Sequence, residues 1–357
     1  VDVVDGGSGT DTLNIDYTGL NGLGYYEFVS SNGRKTILGF DTTLSAVHDA
    51  LAQASTFAIT GGSSSTTRTE FSNVERVNLT TGTSMALVVF QDGTTYKATG
   101  SANDTFYADW SAVTSAIVWD NDPTLSQVVN GVNVKGLERL LLSTGSGDDV
   151  LSNTGVSTPD EIYAGAGNDT LNAGGGNDTL AGGESSDTAD YSDATSAVTV
   201  NLNTGTATGG AGNDTLAGIE EVVGSNFNDT LVCGTDAFGS GTSLYGGKGN
   251  DSIVGGDNNF NWLDGGDGND SLIGGNDNDT LVGGAGADVM TGGDGWGIDT
   301  VDYSGAAAGV TVNLTVGTAS GGDGNDILKG IENINGSFYN DTLIGNSANN
   351  LLSGRGG

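Results

Sequence analysis

Aspartate is the residue type most able to do chemistry in this chain, because it recurs on a clock. Asp160, Asp169, Asp178 and Asp187 stand nine residues apart, and the same period returns at Asp270, Asp279 and Asp288. Two positions after most of them comes an apolar residue: Ile162, Leu171, Leu180, Leu272, Leu281 and Met290. Before them lie hexads of small residues, as in Gly174-Gly175-Gly176-Asn177-Asp178. Six residues of Gly, Asn and Asp make a turn, and the three that follow make a short strand. Two such nonapeptides close one coil, so residues eighteen apart lie one strand spacing, about 4.8 Å, from each other. That places Asp160 on Asp178, Asp169 on Asp187 and Asp270 on Asp288. Two carboxylates at that distance repel by roughly 3.5 kcal/mol at an effective dielectric near 20. A divalent cation between successive loops turns each repulsion into two attractions. Glycine reaches positive φ and lets bare backbone aim its carbonyls inward. Carboxylates and carbonyls together form an adaptable all-oxygen cage, which suits Ca²⁺ better than Mg²⁺, since Mg²⁺ holds its waters.

The same reasoning yields the candidate ligands wherever the pattern recurs. Asp11 and Asp149 belong to isolated copies. The first regular array offers Asp160, then Gly165, Gly167 and Asp169, then Gly174, Gly176 and Asp178, and ends at Asp187. Gly210, Gly212 and Asp214 follow, then Asp229, then Gly247, Gly249 and Asp251. The second array offers Gly266, Gly268 and Asp270, then Gly275, Asp277 and Asp279, then Gly284, Gly286 and Asp288. Asp299, the set Gly322, Gly324 and Asp326, and Asp341 complete the candidates. The clock slips at Asn261, ten residues after Asp251, and the acid is lost there and at Asn350, so full-strength sites are not expected at either.

Motifs such as Gly165-Ala166-Gly167-Asn168-Asp169-Thr170-Leu171 and Gly265-Gly266-Asp267-Gly268-Asn269-Asp270-Ser271-Leu272 closely resemble the RTX (repeats-in-toxin, hemolysin-type) calcium-binding nonapeptide. The resemblance covers most of residues 144–357 and one copy at Gly6–Asn14. It implies bound Ca²⁺ at several turns, a secreted or cell-surface location, and export by a one-step route. Low cytosolic calcium would keep such a chain unfolded, and millimolar calcium outside would fold it.

The elements that must hold these turns form an all-β fold. We expect a right-handed parallel β-roll solenoid, interrupted by longer strands, with a small mixed segment near the N-terminus. Residues 1–14 form a single nonapeptide and edge strand, 15–100 an inserted mixed segment, 101–154 an irregular unit, and 155–357 the roll. Within 15–100, Tyr25–Val29 and Ala86–Phe90 alternate as strands. Thr42–Ala54 carries Leu44, Val47 and Leu51 at helical spacing, which predicts one short helix. A longer repeat overlies the nonapeptides: residues 190–235 realign with 302–347 at a constant offset of 112. Both copies carry Asp-Tyr-Ser and, further on, an Ile-Glu pair. Glu75, Glu138, Glu220 and Glu332 read as ordinary strand alternation, with extra calcium ligation as the functional alternative.

Composition narrows the function. The net charge is −35, with 10 basic residues against 45 acidic. That excess argues against nucleic acid, whose phosphates need cationic partners. It predicts an expanded, self-repelling chain without metal. No apolar run approaches the roughly 18 residues of a membrane helix. The one cysteine, Cys233, precludes an intrachain disulfide and reads as a small buried filler. The one histidine, His48, has no neighbour that marks it as a base, and zinc lacks its His and Cys ligands. The four tryptophans, Trp110, Trp119, Trp262 and Trp296, are expected to pack against the roll rather than present sugar-stacking faces. The chain reads as a piece of a longer protein. The leading expectation is a non-enzymatic, calcium-binding structural segment of a secreted surface protein: an adhesin, a surface layer or a filament. A non-catalytic calcium module of a secreted enzyme is the alternative. A ligand-binding module centred on residues 15–100 stays open, as do self-association and a cell-surface glycan as partners.

Overall fold

A computed structural model describes residues 104–357 apart from 235–240, 258–259 and 294–295, together with the backbone of the strands between Asp2 and Lys97. The chain divides into two units, residues 1–185 and 186–357. No helix occurs among the described residues. The helix expected over Thr42–Ala54 and His48 lies, Ala54 apart, outside them.

The second unit shows the logic of the roll most plainly. One sheet stacks Thr188–Asp190, Glu221–Val223, Thr242–Lys248, Asn261–Asp267, Thr280–Ala285, Thr300–Asp302, Asn333–Asn335 and Leu352–Ser353, all parallel. Alternate nonapeptides supply the opposite sheet, with Thr230–Val232, Ser252–Val254, Ser271–Ile273 and Val289–Thr291 also in parallel register. Each coil therefore spends one nonapeptide on each sheet, as the eighteen-residue spacing requires. Strand alternation sends the middle residue inward. Leu244, Leu263, Leu281, Val301 and Ile334 form one buried file, and Leu231, Ile253, Leu272 and Met290 the other. The core is one side chain deep on each side, so a coil cannot fold alone and relies on its neighbours. Where the clock slips by one or two residues, the excess is absorbed in turns: Ser243 pairs with Trp262, and Thr280 with Thr300.

Two hairpin insertions interrupt this pattern. Val198–Asn201, Thr206–Gly209 and Gly212–Ala217 pair antiparallel, and the copy 112 residues on repeats the arrangement at Val310–Asn313, Thr318–Gly321 and Gly324–Lys329. The outer strands still take parallel partners, Val198–Asn201 with Thr230–Val232 and Gly324–Lys329 with Val289–Thr291. The insertion pads the ladder without breaking it. The Asp-Tyr-Ser motif launches it: Asp190 Oδ1 accepts the Ser192 N–H at 2.8 Å and Asp302 Oδ1 that of Ser304 at 2.7 Å, an Asx turn that ends each preceding strand.

In the first unit, Leu87–Val89, Thr105–Asp109, Arg139–Ser143, Glu161–Ala166 and Thr179–Glu184 stack in parallel. Val118–Asp120, Val150–Ser152 and Thr170–Asn172 do the same. Before residue 104 the backbone adds a mixed sheet, in which Asp2–Asp5 pairs parallel with Thr67–Ser72 and Tyr25–Ser30 antiparallel with Ala54–Gly61. Phe106, Trp110 and Trp119 meet with ring centroids 5.9 to 6.4 Å apart, so both tryptophans pack inside as expected. Trp262 and Trp296 do not. Trp262 precedes the buried Leu263 and alternation turns it outward, while Trp296 stands fully exposed in a turn.

Close stacking explains the glycines. Gly266 has φ +93°, and a Cβ there would lie 2.1 Å from the Gly247 carbonyl oxygen of the preceding coil. Gly266→Ala should therefore destabilise the second unit by about 3 kcal/mol. Gly305, with nothing within 4 Å of a Cβ, should accept alanine with no measurable loss in the same thermal melt.

Candidate calcium-binding turns

Asp149, Asp169, Asp178, Asp229, Asp251, Asp270, Asp279, Asp288 and Asp299 each sit at the end of a turn, immediately before a strand, and are buried. One carboxylate oxygen is committed to the backbone. Asp229, Asp251 and Asp270 each donate their N–H to the Oδ1 of the next aspartate in the row, Asp251, Asp270 and Asp288, at 2.7 to 2.8 Å. The row opens with the Val198 N–H on Asp229 and closes with the Asp288 N–H on Asp326 at 3.1 Å. On the other edge of this unit the Asn261 N–H reaches Asp279 and the Asp279 N–H reaches Asp299, both at 2.9 Å. The first unit repeats the device: Asp149 donates to Asp169 and Asp160 to Asp178, both at 2.7 Å. Asp160 thus stacks on Asp178 and Asp270 on Asp288, as the spacing predicts. The contact is carboxylate to N–H rather than carboxylate to carboxylate, so the backbone meets part of the charge.

The second oxygen is where a cation fits. Oδ2 of Asp149, Asp251, Asp270, Asp279, Asp288 and Asp341 is buried without a hydrogen-bond partner. A Cβ placed on Gly246 would lie 2.4 Å from Asp251 Oδ2 and 2.6 Å from the Gly265 carbonyl oxygen. On Gly265 it would meet Asp270 Oδ2 at 2.4 Å and the Gly283 oxygen at 2.7 Å, and on Gly274 both Asp279 Oδ2 and the Gly292 oxygen at 2.4 Å. Two acceptors converge in each turn with no donor between them. Leaving such groups unsatisfied costs roughly 1–3 kcal/mol each, and more when charged. Burial pushes the carboxyls of Asp279 and Asp288 up to about 7 and those of Asp251 and Asp299 to about 6. Repulsion from neighbouring acids adds to this, from Asp270 and Asp229 on Asp251 and from Asp326 and Asp270 on Asp288. A hard divalent cation would replace the missing donor for both oxygens. Among the described residues no three His, Cys, Asp or Glu side chains gather, so the cage is mainly backbone, as a calcium site of short turns allows.

The arrangement also shows what the spacing did not reveal. The candidate carbonyls at Gly247 and Gly249 do aim along the stack, at Gly266 and Gly268 of the next coil. The carbonyls that face Oδ2 belong to the first glycine of each Gly-Gly pair, Gly265, Gly283 and Gly292, and the doubled glycine was their signal in the sequence. The Asn of each Asn-Asp pair has its own task. Asn228, Asn250 and Asn269 each accept, through Oδ1, the N–H of the matching residue one coil later, at 2.7 to 2.8 Å.

Several candidates already hold donors. Asp214 and Asp326, with Gly210, Gly212, Gly322 and Gly324, fall in or beside the antiparallel hairpins, and Asp326 Oδ2 accepts the Tyr303 hydroxyl at 2.9 Å. Asp229 Oδ2 accepts the Ser225 N–H at 2.6 Å. Asp160 Oδ2 accepts the Asn153 amide at 2.6 Å. The glutamates are neither plain surface residues nor part of a side-chain metal cluster. Glu138, Glu220 and Glu332 turn Oε2 onto the N–H of Asp104, Asp187 and Asp299, at 2.7, 3.1 and 3.0 Å. Cys233 is fully buried and its thiol donates to Asn261 Oδ1 at 3.2 Å. Asp11, Glu75 and His48 lie outside the described residues.

Parallel strands closed by turns of converging carboxylate and carbonyl oxygens define a calcium-binding β-roll. The RTX calcium-binding nonapeptide repeat matches this chain in four copies, over residues 1–14, 154–189, 205–218, 239–259, 261–295 and 329–357. The chain therefore carries RTX calcium-binding repeats over these residues. No individual curated protein matches it.

Two outcomes test the turns. Asp270→Ala combined with Asp288→Ala should lower the calcium bound per chain by at least about one ion in equilibrium dialysis, since Asp270 Oδ2 faces the Gly283 carbonyl of the next coil and Asp288 Oδ2 is buried without a donor. The pH dependence has opposite signs with and without metal. Asp279 and Asp288 rise from 3.8 to about 7 in the metal-free fold, so that fold binds more protons than the unfolded chain between those values. Its stability therefore falls as pH rises from about 4 to 7. Calcium must displace those protons, so its affinity rises over the same window. Melting temperature should be higher at pH 5.5 than at 7.5 in EDTA, and lower at pH 5.5 than at 7.5 in calcium.

Proposed function

We propose that this chain is a calcium-dependent structural segment of a secreted surface protein, such as an adhesin stalk, a surface layer or a filament. The observation that carries the reading is the row of buried Oδ2 atoms without donors, set against a backbone carbonyl at Asp251, Asp270 and Asp279. Such turns are unfavourable where calcium is scarce and favourable where it is millimolar, which suits a chain that is exported unfolded and stiffens outside the cell. A solenoid whose coils contact only their neighbours transmits length rather than shaping a pocket. The side chains of the described turns are spent on the ladder and on the cation, and none is arranged as a nucleophile with its base, which favours a non-enzymatic role. No described helix is long and apolar enough to cross a membrane.

Far-ultraviolet circular dichroism tests this. In EDTA the strand signal should be reduced and the melting temperature lowered, and millimolar Ca²⁺ should restore both while Mg²⁺ at the same concentration does not. Retention of the full strand signal and an unchanged melting temperature in EDTA would overturn the reading.

A further inference from the structure

The turn at Asn261 holds a side-chain amide where the neighbouring turns hold an unpartnered carboxylate oxygen. Asn261 is 3 % exposed and pairs in register with Thr242 on one side, while its N–H bonds Asp279 on the other. Its Nδ2 donates to Asp279 Oδ1 at 2.8 Å, to the Gly256 carbonyl at 3.1 Å and to the Gly274 carbonyl at 3.4 Å. A Cβ placed on Gly255 would meet that Nδ2 at 2.9 Å and the Gly274 oxygen at 2.0 Å. The corresponding point beside Gly246 or Gly265 is faced by an aspartate Oδ2 and a carbonyl. Position for position, a donor replaces an acceptor. Asn261 Oδ1 faces the Cys233 thiol, whose sulfur lies 3.2 Å from both that oxygen and the Gly234 carbonyl oxygen, and the amide's N–H side is left for Asp279 and the glycine carbonyls. In the first unit an amide serves an acid from a different position: Asn153, four residues after Asp149, donates through Nδ2 to Asp160 Oδ2 at 2.6 Å and to the Glu138 carbonyl at 2.7 Å.

We propose that the Asn261 amide closes its turn in place of calcium, excluding the ion from this coil and holding it folded without metal. The amide NH₂ group supplies two donors in fixed directions. It satisfies the carboxylate and carbonyls that a cation would otherwise bridge, and it fills the position the ion needs. This rests on the reading of the aspartate turns as calcium sites. Asn261 thereby sets where calcium loads: on this edge the acids resume only at Asp279 and Asp299, whereas the opposite edge runs without a gap through Asp229, Asp251, Asp270 and Asp288.

The test uses the full chain with three variants, Asn261→Asp, Asn261→Leu and Asp270→Ala, measured by equilibrium dialysis with ⁴⁵Ca and by thermal melts. Asn261→Asp should bind about one more calcium per chain than the parent and melt lower than the parent in EDTA, with the loss recovered in calcium. Asn261→Leu should bind the parent's number of ions and melt about 5 °C lower in both conditions, because the carbonyls lose their donor. An Asn261→Asp protein that is folded in calcium but binds no additional ion overturns the proposal, as does an Asn261→Leu protein as stable as the parent. Asp270→Ala separates the two readings. If the parent binds no calcium and Asp270→Ala changes nothing, the calcium assignment fails, and the melt of Asn261→Leu alone then decides whether the amide closes the turn.

Discussion

A carboxylate has two oxygens, and the stacking of coils provides a donor for one of them. The N–H of one aspartate serves the Oδ1 of the next, as between Asp251 and Asp270, while Oδ2 is carried by the same geometry against a carbonyl. The rest of the roll follows from that mismatch. The turn must be tight enough for the ladder bond, so glycine stands where a Cβ would strike the next coil. The coil must be thin, because a nonapeptide spent mainly on its turn has one inward side chain left. The core then supplies too little stability to bury several charged oxygens, and the deficit falls on whatever replaces the missing donor.

The second unit meets this deficit unevenly along its two edges. One edge carries aspartates in consecutive coils from Asp229 to Asp288 and passes to Asp326, where the Tyr303 hydroxyl takes the second oxygen. Tyr303 comes from the Asp-Tyr-Ser motif that launches the hairpin, so the inserted segment brings its own donor to the coil it lengthens. The hairpin itself hides the length: 38 residues separate Asp288 from Asp326, yet the ladder bond between them persists at 3.1 Å. The glutamates do similar service on the other edge, where Glu332 closes a row that began at Asn261.

Much of this was legible in the sequence because the nine-residue clock fixes both the turn and the inward residue. Ile162, Leu272 and Leu281 are buried where alternation puts them, and Asp270 meets Asp288 as the eighteen-residue spacing requires. What spacing could not supply was the second partner of each acid. Nothing local to Asp160 announces Asn153, and nothing near Asp326 announces Tyr303 at a separation of 23 residues. The exposed tryptophans escaped for a related reason. Residue type suggested packing, but Trp262 stands at an outward position of its strand, and position outranks type in a sheet with a one-residue core. The doubled glycine and the Asn-Asp pair were visible as pattern, and only the stack shows that one presents a carbonyl and the other an Oδ1 to the next coil.

Glutamate, aspartate and asparagine at the head of a strand can be ordered by what each does with its second polar atom. All three keep the ladder: Glu332 accepts from Asp299, Asp299 accepts from Asp279, and Asn261 donates its own N–H to Asp279. Aspartate, on the shortest arm, leaves Oδ2 inside the turn and so calls for a cation. Glutamate is half-exposed at Glu138, Glu220 and Glu332, and its extra methylene accepts the same N–H with the carboxylate nearer water, where a charge needs no ion. Asparagine keeps the short arm but exchanges an acceptor for a donor, and the turn closes on itself. The choice among three residues of similar polarity therefore decides, coil by coil, whether the roll waits for calcium, and the acidic excess of the whole chain reflects how many coils were left waiting.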